Sequence, residues 1–256
     1  VLKVVEALTT FFAGHDTVRK MAPSNAAARL LHGDTLHALL KLPFGNTCLS
    51  QKKGRLSQDA LTTHRKKWRS VIAAYIDEVS MIPANQFLQC DVRLRQAKMQ
   101  LSERFGNLAM NICGDFLQLP PVEKQKGSRR RLACSLNASG RPDAPDEVDA
   151  DESKKNQSKS GQHAENRQGF ELWSSIRRVV CLSVNVRASG ALSRLQADMR
   201  AGCISDEMYT LYLSREMTEN DPRLKDPALP FLNGDLRFIV HRHRIRTMRS
   251  MEHAKT

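Results

Sequence analysis

The residues with the most chemistry to offer stand at 73–83, AAYIDEVSMIP, where small and apolar residues run directly into Asp77 and Glu78 and the chain turns at Pro83. Two carboxylates at the end of a buried strand can divide the work at a nucleoside triphosphate. One holds magnesium, usually through its waters, while its neighbour orients and deprotonates the attacking water. Taken alone, such a pair serves equally to cap a following helix. A second stretch, GDFLQLPPV at 114–122, sets Asp115 and Gln118 on a tight connection fixed by Pro120 and Pro121. The chemistry needs both stretches at one place, so the elements that carry them must bring them there.

Those elements read as alternating strands and helices. TVRKMAP (17–23) is a short strand stopped by Pro23, and SNAAARLL (24–31) follows as a helix with Ser24 as its N-cap. VIAAYI (71–76) is a second buried strand ending at Asp77, and LAMNIC (108–113) a third ending at Gly114 and Asp115. Residues 84–104 read as a helix with Phe87, Leu88, Val92, Leu94 and Leu101 facing inward, and RRVVCLSV (177–184) as a fourth strand. VLKVVEALTTFF at the start has helical apolar spacing. This alternation predicts a parallel sheet with helices on both faces, in which ligands gather beyond the carboxyl ends of the strands. Asp77, Glu78 and Asp115 then face one crevice.

Composition narrows the partners. The 256 residues are 41% hydrophobic, enough for a sizeable core, and no apolar run reaches the roughly 20 residues that span a bilayer. The expectation is a soluble, intracellular protein with no membrane partner. Six cysteines (Cys48, Cys90, Cys113, Cys134, Cys181 and Cys203) lie scattered without a CxxC pair, which points to buried thiols rather than a zinc site or a disulfide framework. A net charge of +13 favours a polyanion such as nucleic acid, though a generally basic, solvated surface has the same signature. RKKWR (65–69) and HRHRIR (241–246) are the densest basic runs. From Glu123 to Gln168 apolar residues become sparse, most clearly after Gly140, and such a segment cannot offset its ordering entropy, so it is expected to be disordered.

AYIDEVSMI and GDFLQLPPV together resemble motifs II and III of superfamily 1 DNA helicases of the PIF type, including Helitron helicase domains. APSNAAARLLHGDTLHALLKLP (22–43) is similar to motif Ia and its sequel, and GFELWSSIRRVVCLSVNVR and LQADMRAGCISDEMYTLYLSR resemble later segments in family order. The resemblance implies a RecA-like P-loop NTPase fold. Residues 1–122 would form the first motor domain, 123–168 an insertion, 169–188 the end of that domain, and 189–256 the start of a second. It implies ATP-driven translocation on single-stranded DNA and unwinding of forked DNA, in DNA repair, recombination or telomere maintenance, with nuclear or mitochondrial residence.

By the same resemblance, Asp77 positions Mg²⁺, Glu78 activates the attacking water, and Gln118 senses the γ-phosphate while Asp115 holds its loop. Arg187 matches the motif IV arginine that faces the γ-phosphate from across the cleft. Pro23, Ser24, Asn25, Thr35 and His37 fall where the family touches the DNA backbone. Each has a plainer alternative: Gln118 as a turn residue, Arg187 as an ion-pair partner, His37 as a helix histidine. Ser24 and Asn25 replace a usual Thr-Gly, and Ala188 a common glutamine. No GxxxxGK[ST] phosphate loop occurs in the 256 residues. VLKVVEALTTFF resembles the helix that follows such a loop, and no counterpart of motifs V and VI follows LRFIVHR (236–242). The expectation is a fragment, with a non-catalytic remnant that binds nucleic acid as the alternative.

Overall fold

The computed structural model describes residues 7, 9–11, 14, 16–45, 47–118, 120–121, 156–186, 188–216 and 222. They divide into two compact units, one within Val1–Val180 and the other within Cys181–Thr256. The division falls earlier than the domain boundary read from the sequence at Ala188.

The first unit is built on a parallel sheet of β1 (Val18–Ala22), β2 (Asp34–Thr35), β3 (Ala73–Ile76) and β4 (Ala109–Ile112), in the order β2-β1-β3-β4. All four residues of β3 are buried, as expected of a strand with helices over both faces. Between the strands run α1 (Asn25–Leu30), α2 (Leu36–Leu40), α3 (Gln58–Trp68) and α4 (Ala84–Lys98), and α5 (Asn156–Ser174) packs along α4. The core gathers Met21, Leu36, Leu40, Trp68, Ile76, Phe87, Leu94 and Leu172 from these elements. Each such side chain contributes about 1.5–3 kcal/mol by leaving water. Phe87, fully buried, lies where one truncation to Ala would open the layer at a cost of about 3–5 kcal/mol.

Polar side chains fix how the strands begin. The Lys98 ammonium donates to the carbonyl oxygens of Trp68, Arg69 and Val71 at 3.1, 3.2 and 2.8 Å, which ties the end of α3 to the entry of β3. Buried Asp91 accepts the Phe105 N–H at 2.5 Å and pairs with Arg95 at 2.7 Å, anchoring the turn Arg104–Asn107 that leads into β4.

Three expectations are corrected. The helix of 84–104 stops at Lys98 because Met99 adopts a left-handed conformation (φ 57°), leaving Leu101 exposed; Leu88 and Val92 are only half-buried. RRVVCLSV forms no strand: it pairs with nothing among the described residues, and Val179, Val180, Leu182 and Val184 are exposed. A strand is defined by its partner, and an apolar run does not supply one. The disorder expected over 123–168 does not hold for 156–168, which are helical, with Glu165 and Asn166 anchored to the rest of the unit; 123–155 lie outside the described residues. Most of the opening helix, the strand candidate at 236–242 and the HRHRIR run also lie outside them, although Ala7 and Thr9, Thr10 and Phe11 are helical.

The second unit contains α6 (Gly190–Ala201) and α7 (Asp206–Leu213), each contributing one buried apolar side chain, Leu195 and Met208. The Asp198 carboxylate accepts from the Ser205 N–H and hydroxyl at 3.2 and 2.9 Å, fixing the turn between them.

Candidate functional site

Because the four strands are parallel, their carboxyl ends lie along one edge. The register aligns Asp34, Met21, Ile76 and Ile112, so Thr35, Ala22, Asp77 and Cys113 form the next level, each about 4.8 Å from its neighbour. The Asp77 N–H donates to Met21 O at 3.0 Å and the Cys113 N–H to Ile76 O at 2.8 Å, extending the ladder to this level. The carboxylate pair and the GDFLQ loop thus leave adjacent strands side by side.

Two contacts brace these loops against each other. The Val79 N–H donates to Cys113 O at 3.0 Å. A Cβ built at Gly114 would stand 2.8 Å from both the Val79 nitrogen and Cγ1, so glycine is what allows this approach. Asp77 and Glu78 are both half-buried, and Glu78 holds a left-handed conformation (φ 54°, ψ 43°). For a non-glycine residue that conformation costs roughly 1–3 kcal/mol and concentrates at functional positions. The turn Val79–Met81 follows, then Pro83 and α4.

On the other loop, Asp115 folds back on its own backbone. Its carboxylate accepts the Leu117 N–H at 3.1 Å and the Gln118 side-chain amide at 3.2 Å, while Gln118 N–H donates to Asp115 O at 3.0 Å. Gln118 is exposed, held by this turn and presented to solvent. Neighbouring Cys113 has its thiol pushed up by burial and by the negative charge of Asp77, which keeps it protonated and unreactive.

The expected DNA-contact residues sit at the same sheet edge. Ser24 caps α1, accepting the Ala27 N–H at 3.2 Å, and Thr35 caps α2, accepting the Ala38 N–H at 3.3 Å. Each cap uses a hydroxyl lone pair and leaves its O–H donor unspent in that contact. Pro23 is half-buried and Asn25 exposed, and His37 stacks on Phe44 with ring centroids 5.2 Å apart and planes 8° from parallel. Arg187 lies outside the described residues.

Sequence reasoning missed α5. Its Glu165 carboxylate accepts the Leu49 N–H at 2.8 Å and the Gln89 amide at 2.9 Å, and buried Asn166 accepts the Asn85 N–H at 3.2 Å in the first turn of α4. That turn has no side-chain cap of its own, since Pro83 occupies the cap position. Trp173 meets Phe87 and Phe116 edge-on, with centroids 5.7 and 5.4 Å apart. The signal available was the spacing Phe170, Trp173, Ile176 in GFELWSSI.

Residues 4–175, more than half of the chain, match the family of PIF1-like helicases. The chain belongs to the PIF1-like helicase family. It is 34% identical over 113 residues to the ATP-dependent DNA helicase PIF1 of Mus musculus, covering 44% of this chain and 16% of the mouse protein. To the ATP-dependent DNA helicase PIF5 of Trypanosoma brucei brucei it is 28% identical over 201 residues, covering 76% of this chain and 20% of that protein. The chain therefore spans about a fifth or less of these relatives. The solved Pif1 helicase of Candida albicans overlays 84% of this chain and 41% of its own with a TM-score of 0.56 at 20% identity, a likeness of fold. The RecA-like α/β class expected of a PIF1-like helicase is thus borne out by the parallel sheet and this likeness.

Proposed function

We propose that this chain is part of the motor of an ATP-dependent DNA helicase, hydrolysing ATP to translocate on single-stranded DNA and open forked duplexes. The observation that carries the reading is the bracing of the Asp77–Glu78 loop against the Asp115–Gln118 loop at one sheet edge, through Val79 N–H to Cys113 O and the close approach at Gly114. Membership of the PIF1-like helicase family supplies the reaction class.

Glu78 is the general base. Its left-handed backbone turns it away from the strand line, and its carboxylate takes a proton from water in line with the γ-phosphate. Asp77 would hold Mg²⁺, and the ion would supply positive charge at the phosphate oxygens. Among the described residues no group of three or more His, Cys, Asp or Glu could hold a metal. A half-buried carboxylate at a strand end, Asp77, fits an ion bound by one or two carboxylates together with waters and substrate phosphates. Gln118, exposed on a turn closed by Asp115, senses the γ-phosphate. Arg187 provides positive charge to the same phosphate. Pro23, Ser24, Asn25, Thr35 and His37, at the edge beside β1 and β2, contact the DNA backbone. Repair, recombination or telomere maintenance in the nucleus or mitochondrion is the setting we assign by family.

DNA-stimulated ATP hydrolysis by the full-length protein carrying this chain tests the reading. Magnesium-dependent turnover that rises on adding single-stranded DNA supports it. Nucleic-acid binding without turnover would instead make the chain a binding module.

A further inference from the structure

Phe116 lies between the two polar groups of the sensing loop, next to Asp115 and two residues before Gln118, and is 40% exposed. Its ring meets Trp173 of α5 at 5.4 Å with planes 68° apart. Trp173 in turn meets Phe87 at 5.7 Å and 80°, and Phe87 meets Phe105 at 5.6 Å and 67°. Phe87 belongs to the first turn of α4, the helix that starts where the Asp77–Glu78 loop ends. Trp173 therefore touches the element behind the carboxylate pair and the loop that carries Gln118.

The rest of α5 is anchored away from the site. Glu165 accepts from Leu49 and Gln89, Asn166 accepts from Asn85, and Gly169 lies so close to Ala84 that a Cβ there would meet the Ala84 oxygen at 1.8 Å. These contacts hold the helix, and the helix holds the tryptophan. We infer that Trp173 is a positioning residue: it fixes the Asp115–Gln118 loop beside the Asp77–Glu78 pair through Phe116, so that docking of α5 controls how well the site is assembled.

The kinetic part of this inference rests on the proposed ATP hydrolysis; the structural part does not. Loss of an aromatic pair of this geometry lowers the equilibrium constant that holds the loop by about 2–10-fold. In the full-length protein, Phe116→Leu and Trp173→Leu should each lower kcat for ATP by about 2–10-fold with little change in KM. The double variant should lose no more than either single one, because both break the same link. Trp173→Phe should recover most of the loss. Hydrogen exchange of amides 113–118 should quicken by a similar factor in Trp173→Leu while α3 is unchanged. If losses in kcat multiply in the double variant, or exchange of 113–118 does not change, the inference is overturned. If exchange responds as expected but the wild type hydrolyses no ATP, the link stands and the proposed function falls. Phe116→Leu, a half-exposed position, keeps the test open should Trp173 variants not fold.

Discussion

Gly114→Ala probes the packing of the two loops with a single methyl group. The added Cβ would lie 2.8 Å from the Val79 nitrogen and Cγ1 and 3.3 Å from the Ser80 nitrogen, whereas ordinary contact begins at 3.4 Å. Backbone nitrogens cannot swing aside as a side-chain tip can. The loops must part by about 0.6 Å, in the range where overpacking costs roughly 1–3 kcal/mol. Misplacing reacting groups by about 1 Å costs on the order of 100-fold in rate. We therefore expect kcat for DNA-stimulated ATP hydrolysis to fall by about 10–100-fold, with a drop in Tm of about 2–10 °C. Val71→Ala is the matched control: Val71 is fully buried at the opposite end of the sheet, and its truncation costs about 1–3 kcal/mol without touching either loop. Steady-state ATPase assays and thermal unfolding of both variants make the comparison. If Gly114→Ala loses no more activity than Val71→Ala, the loops do not need this approach and the geometric argument fails.

Further outcomes follow from other parts of the structure. His64 is buried edge-on to Trp68, and burial pushes its imidazole down from 6.5 to about 4, with the charges of Arg93, Lys41 and Lys67 acting in the same direction. The unfolded chain then binds a proton that the folded chain refuses, so this stability is complete above about pH 6.5 and is lost as pH falls through about 4. It amounts to about 3 kcal/mol in all. Urea midpoints should fall measurably from pH 7 to pH 5, and His64→Gln should flatten that slope. Asn166→Ala removes the acceptor for the Asn85 N–H and should cost about 1 kcal/mol, seen as faster hydrogen exchange in the first turn of α4. Single-stranded DNA affinity should decline with salt at a log-log slope of about −0.7 per phosphate neutralised; a flat response would argue against phosphate contact.

Much of the sheet was legible because strands of a parallel sheet buried on both faces write themselves as apolar runs, and AAYI ending at Asp77 is such a run. The caps at Ser24 and, for the site, the two carboxylates beyond a strand end were legible for the same local reason: the residue type and the turn occur together. What lay hidden was tertiary. Residues 156–168 read as disordered since polar side chains dominate, yet Glu165 and Asn166 spend their polarity on Leu49, Gln89 and Asn85 across the sequence. β2, two residues long, carries no periodicity to read. VVCLSV had the apolar run of a buried strand, but pairing depends on a neighbour that its own residues do not encode.

The most direct test of the central claim is Glu78→Gln in the full-length protein carrying this chain, comparing ATP binding with DNA-stimulated hydrolysis. Glutamine keeps the size and the backbone turn while removing the base. The account predicts ATP affinity within a few-fold of wild type and turnover reduced by about 100-fold or more. Turnover close to wild type would contradict it, because Glu78 would then not be the group that activates the water.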